Sequence, residues 1–247
     1  MTNSSHASED ESFPDESIAE FFVHFDALLA EKSQDALLWV DSAPEAIREL
    51  DDWTLARADA LLHVEGLTSA ITWLTSVVRD CEGFADAHHR LAELFEESGN
   101  REQAISHHLE TLRLDTAVDE VSGVFADSVL ARIEEKAAET LARLPPRFRS
   151  RVGHVPVLLA ARPSVELVQS GFDSRSLGLF SGATDGDEFG HEPASAPSEI
   201  TLYTHCLWDA FGLDEEELLD EVRITVLHEV GHYFGLDETE LAELGLD

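Results

Sequence analysis

The chain has 247 residues, 43% of them hydrophobic and 27% charged, enough to bury a core in one large domain or two small ones. Its 51 acidic residues against 16 basic ones give a formal net charge of −35, which argues against nucleic-acid phosphates and anionic membrane surfaces as partners. Two cysteines, Cys81 and Cys206, make no disulfide framework, no apolar run reaches a membrane span of roughly 18 residues, and no signal peptide is visible, so the expectation is a cytoplasmic protein with free thiols.

Residues 1–17 are polar and acidic, with Pro14 as a breaker, and read as a disordered lead-in. From Ile18 to about Leu114 the pattern is helical and repeats. Ala36-Leu-Leu-Trp39-Val is echoed by Ala70-Ile-Thr-Trp73-Leu and then by Ala104-Ile-Ser-His107-His108, at a spacing of 34 residues both times. Leu91, Ala92 and Phe95 suit the inner face of one helix, Gly99 the turn, and Ala104 the close packing of the next. The segment resembles a tetratricopeptide array, whose stacked helix pairs present a concave face to peptides or protein helices. Trp39 and Trp73 stand at equivalent positions and are expected to pack between helices. His88, His89, His107 and His108 match no metal-ligand spacing and are expected to be unconstrained surface or groove residues.

Val118 to Leu144 reads as a further helix, closed by Pro145-Pro146. The pattern then changes. His154 to Ala160 contains a short apolar strand, Pro163 to Gln169 a short helix ended by Gly171, and Leu177 to Phe180 a second strand. Residues 182–198 are rich in Gly, Pro, Ser and acids and read as a loop; Asp185, Asp187 and Glu188 lack the spacing of a calcium loop. Ile200 to Tyr203 alternates as a third strand.

From Asp214 the chain reads LDEEELLDEVRITVLHEVGHYFGLDETELAELGLD. Asp214 can cap a helix whose first turn, Glu215 to Glu217, suits the positive helix end. Ile224, Val226, Leu227, Val230 and Phe234 cover most of its circumference, as in a buried helix. His228 and His232 are one turn apart, so both imidazoles can hold one ion, and Glu229 lies beside them. This is the HExxH pattern of zinc-dependent hydrolases. Gly235 allows a turn back toward the metal, and the third ligand is expected at Glu238, with Asp237 as its competitor. Asp237 has a second possible role, since Asp237 and Glu240 are spaced as a capping box.

Taken together, PVLLAARPS, LGLFSG, EITLYTHCL and TVLHEVGHYFGLDETELAELG resemble the bacterial minimal-zincin family of small metallopeptidases, over roughly residues 130–247. The resemblance implies a compact α/β zincin with an HExxHxxGxx-acid site and no Met-turn; here the sole methionine is Met1. Carried over, it makes His228, His232 and Glu238 zinc ligands and Glu229 the general base. Tyr233 stands where the family often has a second histidine, and Glu238 where Asp is usual. Zincin substrates lie as an added strand on a sheet edge, and Ile200, Leu202 and Tyr203 are the expected edge; Tyr203, His205 and Tyr233 are candidates for polarising the carbonyl.

The expected fold class is thus α+β: a helical-repeat region over 18–117, then an α/β zincin-like domain over 118–247. The expected function is a zinc metallopeptidase acting on a peptide or protein substrate, with the repeats docking that substrate or a regulatory protein. The competing expectation is a binding adaptor whose zincin domain is idle.

Overall fold

The computed structural model describes residues 15–122, 127–184 and 198–246. It divides the chain into two compact units, Met1–Thr111 and Leu112–Asp247. Residues 1–14, most of the expected lead-in, and Asp185, Asp187 and Glu188 lie outside the described residues; Asp15, Glu16 and Ser17 belong to the first helix.

The first unit is helical throughout its described length: α1 (Asp15–Ala30), α2 (Ala36–Asp41), α3 (Glu45–Arg48), α4 (Asp51–Val64), α5 (Leu67–Asp80), α6 (Ala85–Glu97) and the start of α7 (Arg101–Ser122). The three alanines of the 34-residue echo, Ala36, Ala70 and Ala104, are all buried. Their methyls permit close helix approach, and larger residues fill the space around them: Phe21, Phe25, Val40 and Ile47 near Ala36, and Leu61, Leu74, Phe84 and Leu91 near Ala70. The indole N–H of Trp39 donates to the Phe21 carbonyl at 3.2 Å, and that of Trp73 to the Thr54 carbonyl at 3.1 Å. Equivalent tryptophans therefore make equivalent bonds to a neighbouring helix. The histidines depart from expectation. His88 and His108 are buried, and His88 Nδ1 meets His107 Nδ1 at 2.9 Å, one imidazole donating and the other accepting. Burial, with His88 and His108 close by, pushes His107 down to about 4, which keeps it neutral.

A second difference concerns α7. The sequence reading breaks the helix near Leu114 and starts another at Val118, whereas one helix runs to Ser122. No proline or glycine interrupts Asp115 to Ser122, so nothing stops it.

The second unit continues with α8 (Asp127–Arg143), α9 (Pro146–Val152), β1 (Val157–Ala160), α10 (Val165–Gln169), β2 (Gly178–Ser181), β3 (Glu199–Tyr203), α11 (Thr204–Phe211), α12 (Glu215–Tyr233) and α13 (Glu238–Glu243). Pro146 opens α9 at its first turn, where a missing N–H costs nothing. Ser164 caps α10 by accepting from the Leu167 N–H. Helix α12 packs against α8, α11, β2 and β3, and its Val222, Val226 and Val230 join Ile133, Ile200, Leu202 and Leu207 in one core. Each such valine contributes about 1.5–3 kcal/mol on burial. Among the described residues no helix is long and apolar enough to cross a membrane.

The strand order is β1-β3-β2. β3 pairs parallel with β1 (Val157 with Ile200) and antiparallel with β2 (Phe180 with Ile200). This corrects the expected substrate edge. Both sides of β3 are occupied by other strands, and Ile200, Leu202 and Tyr203 are buried. The alternation of Ile200 to Tyr203 marks a strand but not its place in the sheet. Next to the motif helix, the strand with an unpaired side among the described residues is β2.

Candidate metal centre

Helix α12 begins where Asp214 accepts from the Glu216 and Glu217 N–H groups at 2.8 and 3.2 Å. Four turns on, it delivers His228 and His232. Their Nε2 atoms lie 3.0 Å apart, with the rings nearly perpendicular. Each opposite nitrogen has its own backbone acceptor: His228 Nδ1 donates to the Leu246 carbonyl at 2.5 Å, and His232 Nδ1 to the Leu236 carbonyl at 3.1 Å. Those bonds place the proton on Nδ1 and leave both Nε2 lone pairs directed at one point.

Glu238 arrives from the turn that follows. Gly235 adopts φ +83°, a left-handed conformation that reverses the chain after α12. The Glu238 carboxylate then reaches His232 Nε2 at 3.3 Å and His228 Nε2 at 3.6 Å. Asp237, one residue earlier, is occupied otherwise. It caps α13, accepting from the Glu240 N–H at 2.9 Å, while the Glu240 carboxylate accepts from the Asp237 N–H at 3.0 Å. Helix α13 is itself seated by Leu241 against Gly231, where any Cβ would collide with the Leu241 methyl.

Glu229 is buried beside the histidines, and its Oε2 accepts from the Phe180 N–H of β2 at 2.6 Å. Just before that strand the Leu177 carbonyl bonds to β3, while the Phe180 N–H points to the opposite side, toward α12. Gly178 completes the fit, because a Cβ there would meet Thr225 Cγ2 and Glu229 Oε1. Burial pushes the Glu229 carboxyl above its ordinary range; His228 and the Phe180 N–H oppose that shift without cancelling it.

The remaining sequence candidates lie elsewhere. The Tyr233 hydroxyl donates to the Arg151 carbonyl at 3.2 Å from a fully buried ring. Tyr203 is buried, its hydroxyl pushed up to about 12 by that burial. His205 Nδ1 lies 2.9 Å from Asp119, in a cluster where the buried Arg162 guanidinium bonds Asp119 (2.6 and 2.8 Å) and Asp209 (2.6 Å), and Arg175 bonds Asp115. What the sequence reading missed is mostly backbone: the Phe180 N–H and the Leu236 and Leu246 carbonyls carry no side-chain signature. Gly231, a glycine inside a buried helix, was a usable signal of close packing.

Two imidazole nitrogens and a carboxylate with ligand atoms all within 4.8 Å of one another form a three-donor set suited to zinc, with a buried glutamate alongside. A set of this kind beside a glutamate is the arrangement that zinc hydrolases use. Residues 152–246 match the family model described as zincin-like metallopeptidase, so the C-terminal part carries a zincin-like domain. No curated protein matches the chain.

Proposed function

We propose that the protein is a zinc-dependent peptidase in which His228, His232 and Glu238 hold the metal and Glu229 is the general base. The observation that carries this is the convergence of two Nε2 atoms and one carboxylate beside a buried glutamate. Zinc held there would supply Lewis acidity, making a water molecule acidic near neutral pH and polarising a peptide carbonyl. Glu229 Oε2 stays anchored on the Phe180 N–H, so Oε1 takes the proton from the attacking water and returns it to the leaving amine. The peptide backbone lies next to Glu229, and the Phe180 N–H, already committed to Glu229, takes no part in holding it. The helices of the first unit dock the protein substrate or a regulatory protein, a role suggested by the 34-residue repeat.

The test combines metal analysis with a peptide-cleavage screen. Zinc at one per chain, cleavage by the wild type, and a loss of at least about 100-fold in Glu229→Gln with zinc retained are expected. Zinc and peptide binding without turnover in the wild type would favour the adaptor reading instead.

A further inference from the structure

A cavity of about 200 Å³ opens directly beside the metal centre, lined by Leu177, Gly178, Glu221, Ile224, His228, Glu229 and neighbours. It is smaller than the roughly 300–1,000 Å³ of a small-molecule site and suits one side chain. Its walls are of two kinds. Leu177, Ile224 and Leu246 offer apolar surface, and Glu221 supplies a carboxylate. Glu221 stands two turns before His228 on α12, so the carboxylate lies about 10 Å along the helix from the metal ligands.

Glu221 is half-buried and forms no ion pair or hydrogen bond among the described residues. The cation nearest in sequence, Arg223, is engaged with Asp220 at 2.7 and 3.2 Å. Arg223 thus acts on Glu221 only from a distance, and a cationic ligand group in direct contact would be favoured there. Burial, with Asp220 and Glu217 adding to it and Arg223 opposing without cancelling it, pushes the Glu221 carboxyl up, the reverse of what a cation in contact would do.

We propose that this pocket takes a lysine or arginine side chain of the peptide substrate next to the scissile bond, with Glu221 as the residue that sets this preference. The proposal rests on the peptidase reading. Lysine and arginine carry a positive charge at the end of a long methylene stem, and the stem suits the leucine and isoleucine walls. The net charge of −35 raises the local concentration of cationic peptides as well.

Two measurements on the full chain test it. In the first, zinc-loaded wild type, Glu221→Gln and Glu221→Lys cleave a randomised peptide library, read by mass spectrometry. The expected result is that lysine and arginine exceed leucine by about tenfold or more in kcat/KM at one position flanking the cut. That ratio should collapse in Glu221→Gln and turn toward aspartate and glutamate in Glu221→Lys. A lysine preference that survives Glu221→Gln, or cleavage without preference at any position, overturns the proposal. In the second, Glu229→Gln, alone and combined with Glu221→Gln, is titrated with lysine- and leucine-containing peptides. Tighter binding of the lysine peptide that depends on Glu221 supports the pocket even if no variant cleaves anything, an outcome that would overturn the peptidase reading alone. Equal affinities for the two peptides overturn the pocket assignment.

Discussion

The Leu246 carbonyl accepts from His228 Nδ1 at 2.5 Å, so a residue eighteen positions further along the chain fixes the tautomer and ring direction of this proposed metal ligand. Leu246 reaches this position through Gly245, whose φ is +68°, and a Cβ at Gly245 would meet nothing within 4 Å. The demand on Gly245 is therefore conformational rather than spatial. Gly245→Val, with its branched Cβ, should pull the carbonyl away and weaken zinc binding by about 10–100-fold while leaving the helices folded. Zinc titration alongside circular dichroism checks this, and unchanged affinity would remove Leu246 from the site.

Glu238 and Asp237 should separate cleanly. Glu238→Ala is expected to weaken zinc binding at least about tenfold, on the scale of ligand-sphere changes. Asp237→Ala should cost about 1 kcal/mol of stability through the lost cap, with a smaller effect on the metal. The reverse order in a metal titration would make Asp237 the ligand.

Gly231 and Leu241 should behave as a coupled pair. Overpacking in Gly231→Ala is expected to cost about 1–3 kcal/mol, because Leu241 is fully buried against it. Leu241→Ala alone should cost about 2–5 kcal/mol by leaving a cavity. The double variant should be more stable than the sum of the two changes implies, since the new methyl occupies part of the vacated space. Strict additivity in urea melts would show that the two residues do not share a contact in solution.

The ion-pair cluster gives a pH signature. Burial favours the neutral form of Asp119, yet the bonds from Arg162 and His205 outweigh it and hold the carboxyl below its ordinary range. A depressed native value means that Asp119 stabilises the fold above the unfolded-state value of about 3.9, and that this contribution is lost as pH falls through the native value. Asp119→Asn should therefore be about 1–3 kcal/mol less stable than wild type at neutral pH, with the gap closing in acid. Equal deficits at both pH values would point to packing rather than charge.

Local rules made much of this molecule readable. The 34-residue echo placed three buried alanines and two matching tryptophans, and Asp214 and the Asp237–Glu240 box sit at helix starts as expected, whereas the helix that Pro146 opens and the cap that Ser164 provides were not foreseen. The one-turn spacing of His228 and His232 needed only helix geometry. The rest depended on non-local partners. Whether Ile200 to Tyr203 is an edge or a centre is decided by which strands arrive beside it, and alternation is the same in either case. The bond from Phe180 to Glu229 is invisible for another reason, since every residue except proline has a backbone N–H. Glu221 was accessible in principle, two turns ahead of His228 on the same helix, but among the many acids of this chain nothing marked it.

The order β1-β3-β2 also bears on how the protein is made. Synthesis delivers β1 first, then β2, and the strand that joins them last. Until residues 199–203 leave the ribosome, both earlier strands lack the neighbour with which they pair in the finished sheet. His228, His232 and Glu238 emerge later still, so a nascent chain cannot bring these three together until all three strands have been made. The same delay leaves apolar strands open to wrong partners, and the strong mutual repulsion of chains carrying a net charge of −35 offsets that hazard. Chains arrested on the ribosome before residue 198 should be cut readily by added protease across 154–184, and chains arrested with residue 247 clear of the exit tunnel should resist it.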